Sequence, residues 1–314
     1  MSAAGRELGL SPAVVSKRVS LLEDKLGARL FQRTTRHLTL TETGDGYYKR
    51  VVDILSLVSE AEDFVNRRNT RPRGQLRVTA PTSFSRLHIA PYISDFAARY
   101  PEIDLDIQLT DDFVDIIREN YDLAIRIAEL EDSSLVARKL AAETRVMCAT
   151  KAYLDKHGRP QTLADLEQHN CLSAGAQDVW RIESPGGKQE QFRVRGNIRT
   201  NSSEFVHQAM LSGLGLGLRA VWEIGPDLKN GALEIVLPEW RGSSNVAIYA
   251  VYPTREFLPA KVNAFFEFLV ELYGSEPYWE KEVDLAALTG YGGKSDRGSA
   301  SSVRTLRPPL RPPA

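Results

Sequence analysis

The 314-residue chain is 42% hydrophobic and 26% charged, which excludes general disorder and leaves room for two or three domains with proper cores. Its net charge of −1 hides a division: residues 1–77 hold 14 Lys and Arg against 9 Asp and Glu, or +5, and residues 78–274 hold 20 against 27, or −7. With no apolar run near the ~20 residues of a membrane span and no secretory leader, a cytoplasmic protein without a membrane partner is expected, its basic end the one suited to phosphates.

In chain order, residues 2–8 read as a short helix closed by Gly9, and residues 10–26 (LSPAVVSKRVSLLEDKL) as a second helix with Ser11 as cap and Pro12 in its first turn. At 100° per residue Val15, Val19, Leu22 and Leu26 form a packing stripe, while Ala13, Ser16, Lys17 and Ser20 form an opposite face of small, polar and basic groups. Such a face suits an ordinary solvated helix and equally a helix lying in a DNA major groove. The neighbours favour DNA. A helix, a glycine turn and a helix are followed by residues 30–40 (LFQRTTRHLTL), a two-stranded wing carrying Arg33, Thr35, Arg36 and His37 toward phosphates or the minor groove.

Thr41 can cap a long helix over residues 42–69. Within it Tyr47, Val51, Ile54, Val58, Ala61 and Val65 alternate spacings of four and three, a seam for pairing with a second copy of the helix. NTRPRG (69–74) reads as a hinge-like linker. Strands are then expected at 75–80, 103–110 and 121–127 with helices at 85–99 and 112–120, an alternation that means a parallel α/β sheet with right-handed crossovers. Residues 135–150 add two strand-like runs, 245–252 another and 259–273 a helix, after which the Gly, Ser, Arg and Pro-rich chain loses its pattern.

In order along the chain, SAAGRELGLSPAVVSKRVSLLEDKLGARLF, QRTTRHLTLTETG, the long helix and the α/β half resemble the LysR-type bacterial transcriptional regulators over roughly residues 2–273. The segment QLTDDFVDIIRENYDLAIRI is similar to the D-malate-regulator-like branch, which by itself does not fix a ligand. The resemblance implies an α+β multidomain fold: a winged helix-turn-helix (1–41), a linker and dimerisation helix (42–70), and a two-lobed α/β effector domain of periplasmic-binding-protein type (75–274). Its first lobe would cover about 75–135 and 253–274 and its second about 136–252, with residues 275–314 a tail in which 275–288 can form a short helix and 289–314 is disordered. The family's domain opens with a helix that precedes the SAA segment, so either Met1 is a late start or the domain is incomplete, and the chain as written is expected to bind DNA poorly.

The roles expected are groove contacts from Ser11, Pro12, Ala13, Ser16, Lys17 and Ser20, phosphate contacts from Arg18 and Arg33, and a wing of Thr35, Arg36 and His37. In parallel α/β lobes ligands meet the carboxyl ends of strands and the amides of helix starts. That places Thr82, Ser83, Thr110, Asn201, Ser202 and Ser203 at a small organic-acid effector, with Arg126 as charge partner; plain capping suits the hydroxyls equally well. The glycines of SGLGLGL do not have dinucleotide spacing and instead let a helix end and strand pass closely. Cys148 and Cys171 are expected as reduced, packed thiols, the five histidines have no ligand spacing, and neither metal nor cofactor is expected. No G-x-S-x-G, P-loop or H-E-x-x-H motif suggests an enzyme. Expected partners are double-stranded DNA, a small effector and further copies of the chain as homodimer or homotetramer. The alternative is a metabolite-sensing two-lobed binding protein with impaired DNA binding.

Overall fold

The computed structural model describes residues 9–33, 38–65, 71–129, 135–175, 178–184, 186–253 and 258–283. It divides into two units, Met1–Thr70 and Arg71–Ala314. The expected helix at 2–8 and the wing residues Thr35, Arg36 and His37 lie outside the described residues.

In the first unit, helix α1 (Pro12–Leu26) starts where Ser11 Oγ accepts from the Val14 amide at 3.3 Å, and stops at Gly27 in the left-handed region (φ 64°). Val15 is buried and Val19 and Leu22 are half-buried, but Leu26 is exposed. The stripe therefore ends early. Its place is taken by Glu23, because the chain folds back after Gly27 and brings the Leu30 and Phe31 amides onto Glu23 Oε1 at 2.8 and 3.0 Å. Strands β1 (Phe31–Arg33) and β2 (Leu38–Leu40) pair antiparallel, Phe31 opposite Leu40. Helix α2 (Glu42–Val65) is capped by Thr41, whose Oγ1 accepts from the Gly44 amide at 2.8 Å. Gly44 is required there: a Cβ would sit 1.9 Å from the Leu30 carbonyl oxygen. Along the expected seam Tyr47 and Val51 are half-buried, while Ile54 and Val58 are exposed at 57% and 49% beside exposed Tyr48 and Leu55. The side chains of Ala61 and Val65 lie outside the described residues.

The second unit holds two sheets. The first has the order β4-β3-β5-β14-β6, built from β3 (Gly74–Ala80), β4 (Ile103–Leu109), β5 (Leu123–Glu129), β6 (Leu135–Ala142) and β14 (Val246–Pro253). β3 is parallel to β4 and β5, and β14 is antiparallel to β5 and β6. The strand-like runs at the start of 135–150 and at 245–252 thus belong to the first sheet as β6 and β14, where β14 satisfies backbone groups on both sides and buries Ile248 and Ala250. The first lobe therefore runs beyond residue 135 and begins again before 253.

The helix expected at 85–99 divides into α3 (Thr82–His88), a 3₁₀ turn (Ala90–Tyr92) and α4 (Ile93–Arg99), with Pro91 lacking the N–H that continuity needs. Residues 112–120 form turns instead of a helix. Two carbonyls there, Asp112 and Val114, accept from Arg126 at 3.0 and 3.4 Å rather than from amides of a next helical turn. Leu76, Val78, Phe84, Phe96 and Leu123 pack with Phe265 and Leu269 of helix α8 (Ala260–Tyr273) as the first lobe's core.

The second sheet has the order β10-β9-β13-β7-β11-β8, with β12 beside β7. Its strands are β7 (Arg145–Ala149), β8 (Cys171–Leu172), β9 (Val179–Glu183), β10 (Gln189–Arg193), β11 (Leu216–Ala220), β12 (Glu234–Ile235) and β13 (Arg241–Gly242). Helices α5 (Lys151–His157), α6 (Ser203–Leu211) and α7 (Val221–Lys229) complete the lobe. The SGLGLGL glycines allow close passage: a Cβ at Gly215 would lie 2.2 Å from the Asn170 carbonyl oxygen, and one at Gly217 2.6 Å from Met210 Sδ. Cys148 and Cys171 are free and buried, and burial pushes both thiols up to about 12.

The short helix read within residues 275–288 of the tail is present at 278–282. Helix α9 (Tyr278–Glu282) places Trp279 in the first lobe's core while Val283 enters the second lobe's core, and Glu280 Oε1 accepts from the Thr144 amide at 3.2 Å. Residues 284–314 lie outside the described ones.

Candidate effector cleft and nucleic-acid interface

The parallel strands β3 and β4 end side by side, and the chain leaves them as Pro81–Thr82 and Thr110–Asp111. Asp111 joins the two lobes. Its Oδ1 accepts from the Thr82 amide at 2.8 Å, at the start of α3, and its Oδ2 from the Ser203 amide at 3.4 Å, at the start of α6. These are first-turn amides, which have no acceptor within their own helices. A second link between the lobes is the exposed pair Arg86–Glu204, with Arg86 Nη2 at 2.9 and 3.0 Å from the two carboxylate oxygens.

Each side of this junction is braced. Thr110 Oγ1 accepts from the Asp112 amide at 3.1 Å, and Arg126 holds the Asp112 and Val114 carbonyls with its guanidinium 5.4 Å from the Phe113 ring centroid. Burial lowers the Arg126 pKa from its ordinary value. On the other side Ser202 caps α6, its Oγ accepting from the Phe205 amide at 3.2 Å. Arg219 Nη2 donates to the Ser203 carbonyl at 3.0 Å and hydroxyl at 2.8 Å, and is paired with Glu223.

The expected effector residues are thus partly brought together. Thr82, Thr110 and Ser203 surround Asp111, Ser202 is a helix cap, and Asn201 is exposed. Arg126 donates through Nη1 and Nη2 to carbonyls of the loop that carries Asp111, which makes it an anchor of that loop. Ser83 is no cap. Its hydroxyl is buried with no partner among the described residues, and Pro81 stands at the N-cap position of α3. Sequence reasoning missed Asp111, Arg86 and Arg219. The available signal was position, since Asp111 directly follows Thr110 at the carboxyl end of a parallel strand. Open grooves of about 410 and 850 Å³ lie elsewhere, one lined by Glu129, Arg181 and Ser243 and the other by Asn170, Arg193 and Arg199.

On α1, Ser11, Pro12, Ala13, Lys17 and Arg18 are exposed and Ser16 and Ser20 are half-buried. Glu23, in the last turn of the helix, ties it to β1 through the Leu30 and Phe31 amides, so the helix and the base of the wing form one piece. The side chain of Arg33 lies outside the described residues.

A helix tied to a wing base, on one chain with a two-lobed α/β unit, fits a class, the ligand-responsive DNA-binding regulators. Two family models match: the bacterial regulatory helix-turn-helix protein, lysR family, over residues 1–45, and the LysR substrate binding domain over residues 69–274. The chain belongs to the LysR family and is a transcriptional regulator with an effector-binding domain. It is 36% identical over 272 residues to the HTH-type transcriptional activator TtdR of Escherichia coli, covering 85% of this chain and 87% of that one. It is 37% identical over 281 residues to the HTH-type transcriptional regulator DmlR of Escherichia coli, covering 88% and 90%. Among solved structures it is similar to CrgA, a LysR-type transcriptional regulator from Neisseria meningitidis (TM-score 0.57, 31% identity, 87% and 94% covered). It is also similar to the Vibrio cholerae virulence activator AphB (TM-score 0.55, 27% identity, 86% and 92% covered). Both comparisons favour the regulator over a binding protein that has lost DNA contact. Among the described residues no helix is long and apolar enough to cross a membrane.

Proposed function

We propose that the protein is a cytoplasmic regulator that reads operator DNA with the Ala13, Ser16, Lys17 and Ser20 face of α1, while Ser11 and Pro12 start that helix at the groove. Arg18 and Arg33 take phosphates, and Thr35, Arg36 and His37 form the tip of the wing. The observation that carries this reading is the exposed, small and basic face of α1 beside an antiparallel wing base to which Glu23 ties it. Short side chains let a helix approach base edges, and Lys17 adds charge toward the backbone. Dimerisation through Tyr47, Val51, Ile54, Val58, Ala61 and Val65 of α2 pairs two such heads, and a small organic acid bound between the lobes, with the unpartnered Ser83 hydroxyl as a donor, biases their spacing.

The test is a gel-shift titration on DNA from upstream of the protein's own gene across a range of salt concentrations. Lys17→Ala weakens binding and lowers the log–log salt slope by roughly one unit; unchanged affinity and slope would remove α1 from the interface. In light scattering Ile54→Glu gives a monomer, and a variant of undiminished mass would assign the seam to packing within one chain. D-Malate and related dicarboxylates are the first effectors to try, with Ser83→Ala expected to reduce their thermal stabilisation and leave DNA affinity unchanged.

A further inference from the structure

Resting on the reading of the interlobe cleft as the effector site, we propose that Asp111 is a built-in carboxylate latch that holds the two lobes together without effector and selects against weakly binding acids. One carboxylate accepts from an amide of each lobe, Thr82 at 2.8 Å and Ser203 at 3.4 Å, across 92 positions of sequence between Asp111 and Ser203. Nothing else in the helices can satisfy these two first-turn N–H groups. The bond to Thr82 is exposed and that to Ser203 only partly buried, so the latch can exchange with solvent and with ligand.

The surroundings fit a device and not a chance contact. Asp111 sits on a loop held from behind by Arg126 through two carbonyls and by Thr110 through the Asp112 amide. Its far partner is held by Arg219 through the Ser203 carbonyl and hydroxyl. The latch joins two fixed points. Beside it in sequence the Ser83 hydroxyl, only 3% exposed, has no partner among the described residues. An acid entering between the lobes meets a carboxylate already in place, which repels it and competes for donors. Entry parts the Asp111 bridge, so only an acid that brings more contacts than Asp111 makes can be sensed.

The test uses the full chain with Asp111→Ala and Asp111→Asn. Without effector, amide exchange at Thr82 and Ser203 is expected to quicken at least tenfold in Asp111→Ala and less in Asp111→Asn, which keeps one acceptor oxygen but no charge. Glu204→Gln, which removes the exposed pair with Arg86, leaves both amides slow. With D-malate or succinate as probe, Asp111→Ala is expected to show an apparent Kd several-fold below that of the unaltered chain. Unchanged exchange at both amides in both variants overturns the latch, as does a higher apparent Kd in Asp111→Ala. Faster exchange with no probe raising the melting temperature of either protein upholds the latch and overturns the organic-acid reading, because exchange is measured without any effector.

Discussion

The amino-terminal unit and the two-lobed unit treat their apolar residues in opposite ways. The first buries Val15 and Leu30 yet leaves Leu21, Ile54, Leu55 and Val58 largely in solvent. The second gathers most of its apolar side chains into cores, including a T-shaped aromatic cluster of Phe84, Trp222, Tyr273 and Trp279, although Phe113 and Phe205 stay exposed. Exposed apolar groups spaced along a helix are an unfinished interface, whereas a core closed on itself needs no second molecule.

The largest effect expected from breaking this contrast is at Trp279. Trp279→Ala removes a buried ring from the first lobe's core and costs about 3–5 kcal/mol, read as a lower melting temperature of residues 71–283; Leu21→Ala, on an exposed side chain, stays within about 0.5 kcal/mol. Equal effects would erase the distinction between the two units.

Next is pH. His88 donates through Nε2 to the Trp222 carbonyl at 3.0 Å and accepts at Nδ1 from the Tyr278 hydroxyl at 2.7 Å, and burial lowers its pKa to about 4. Its neutral form belongs to the folded state, so this stability is complete above the unfolded value of about 6.5 and is lost as pH falls toward 4, about 3 kcal/mol in all. Urea unfolding of the two-lobed unit should weaken over that window, and His88→Gln should remove this part of the dependence.

A smaller effect sharpens the comparison within the first unit. Glu23→Ala leaves the Leu30 and Phe31 amides without their carboxylate and costs about 1–3 kcal/mol, visible as faster amide exchange at both. No change there would mean that the wing is held by its strand pairing alone.

What could be read from sequence was local. Ser11, Pro12 and Thr41 mark helix starts by chemistry confined to one turn, and the seam of α2 and the alternation around β3 and β4 are periodicities. What could not be read depends on groups distant in sequence. Glu23 is charged and belongs at the surface until the Leu30 and Phe31 amides fold onto it. Residues 112–120 have helical composition, but Arg126 claims their carbonyls. Asp111 gains its meaning only from Ser203, and β6 and β14 join the first sheet because each completes the hydrogen bonds of a strand far away in the chain.

Helix α9 has a mechanical consequence. Two bodies joined by two connecting segments keep a rotation about the line through the joints, as a door does on two hinges. Here Trp279 is seated in one body, Val283 in the other, and Glu280 grips Thr144 on one of the connecting segments. A third attachment restrains that swing. Opening between the lobes has to work against the seats of Trp279 and Val283 together.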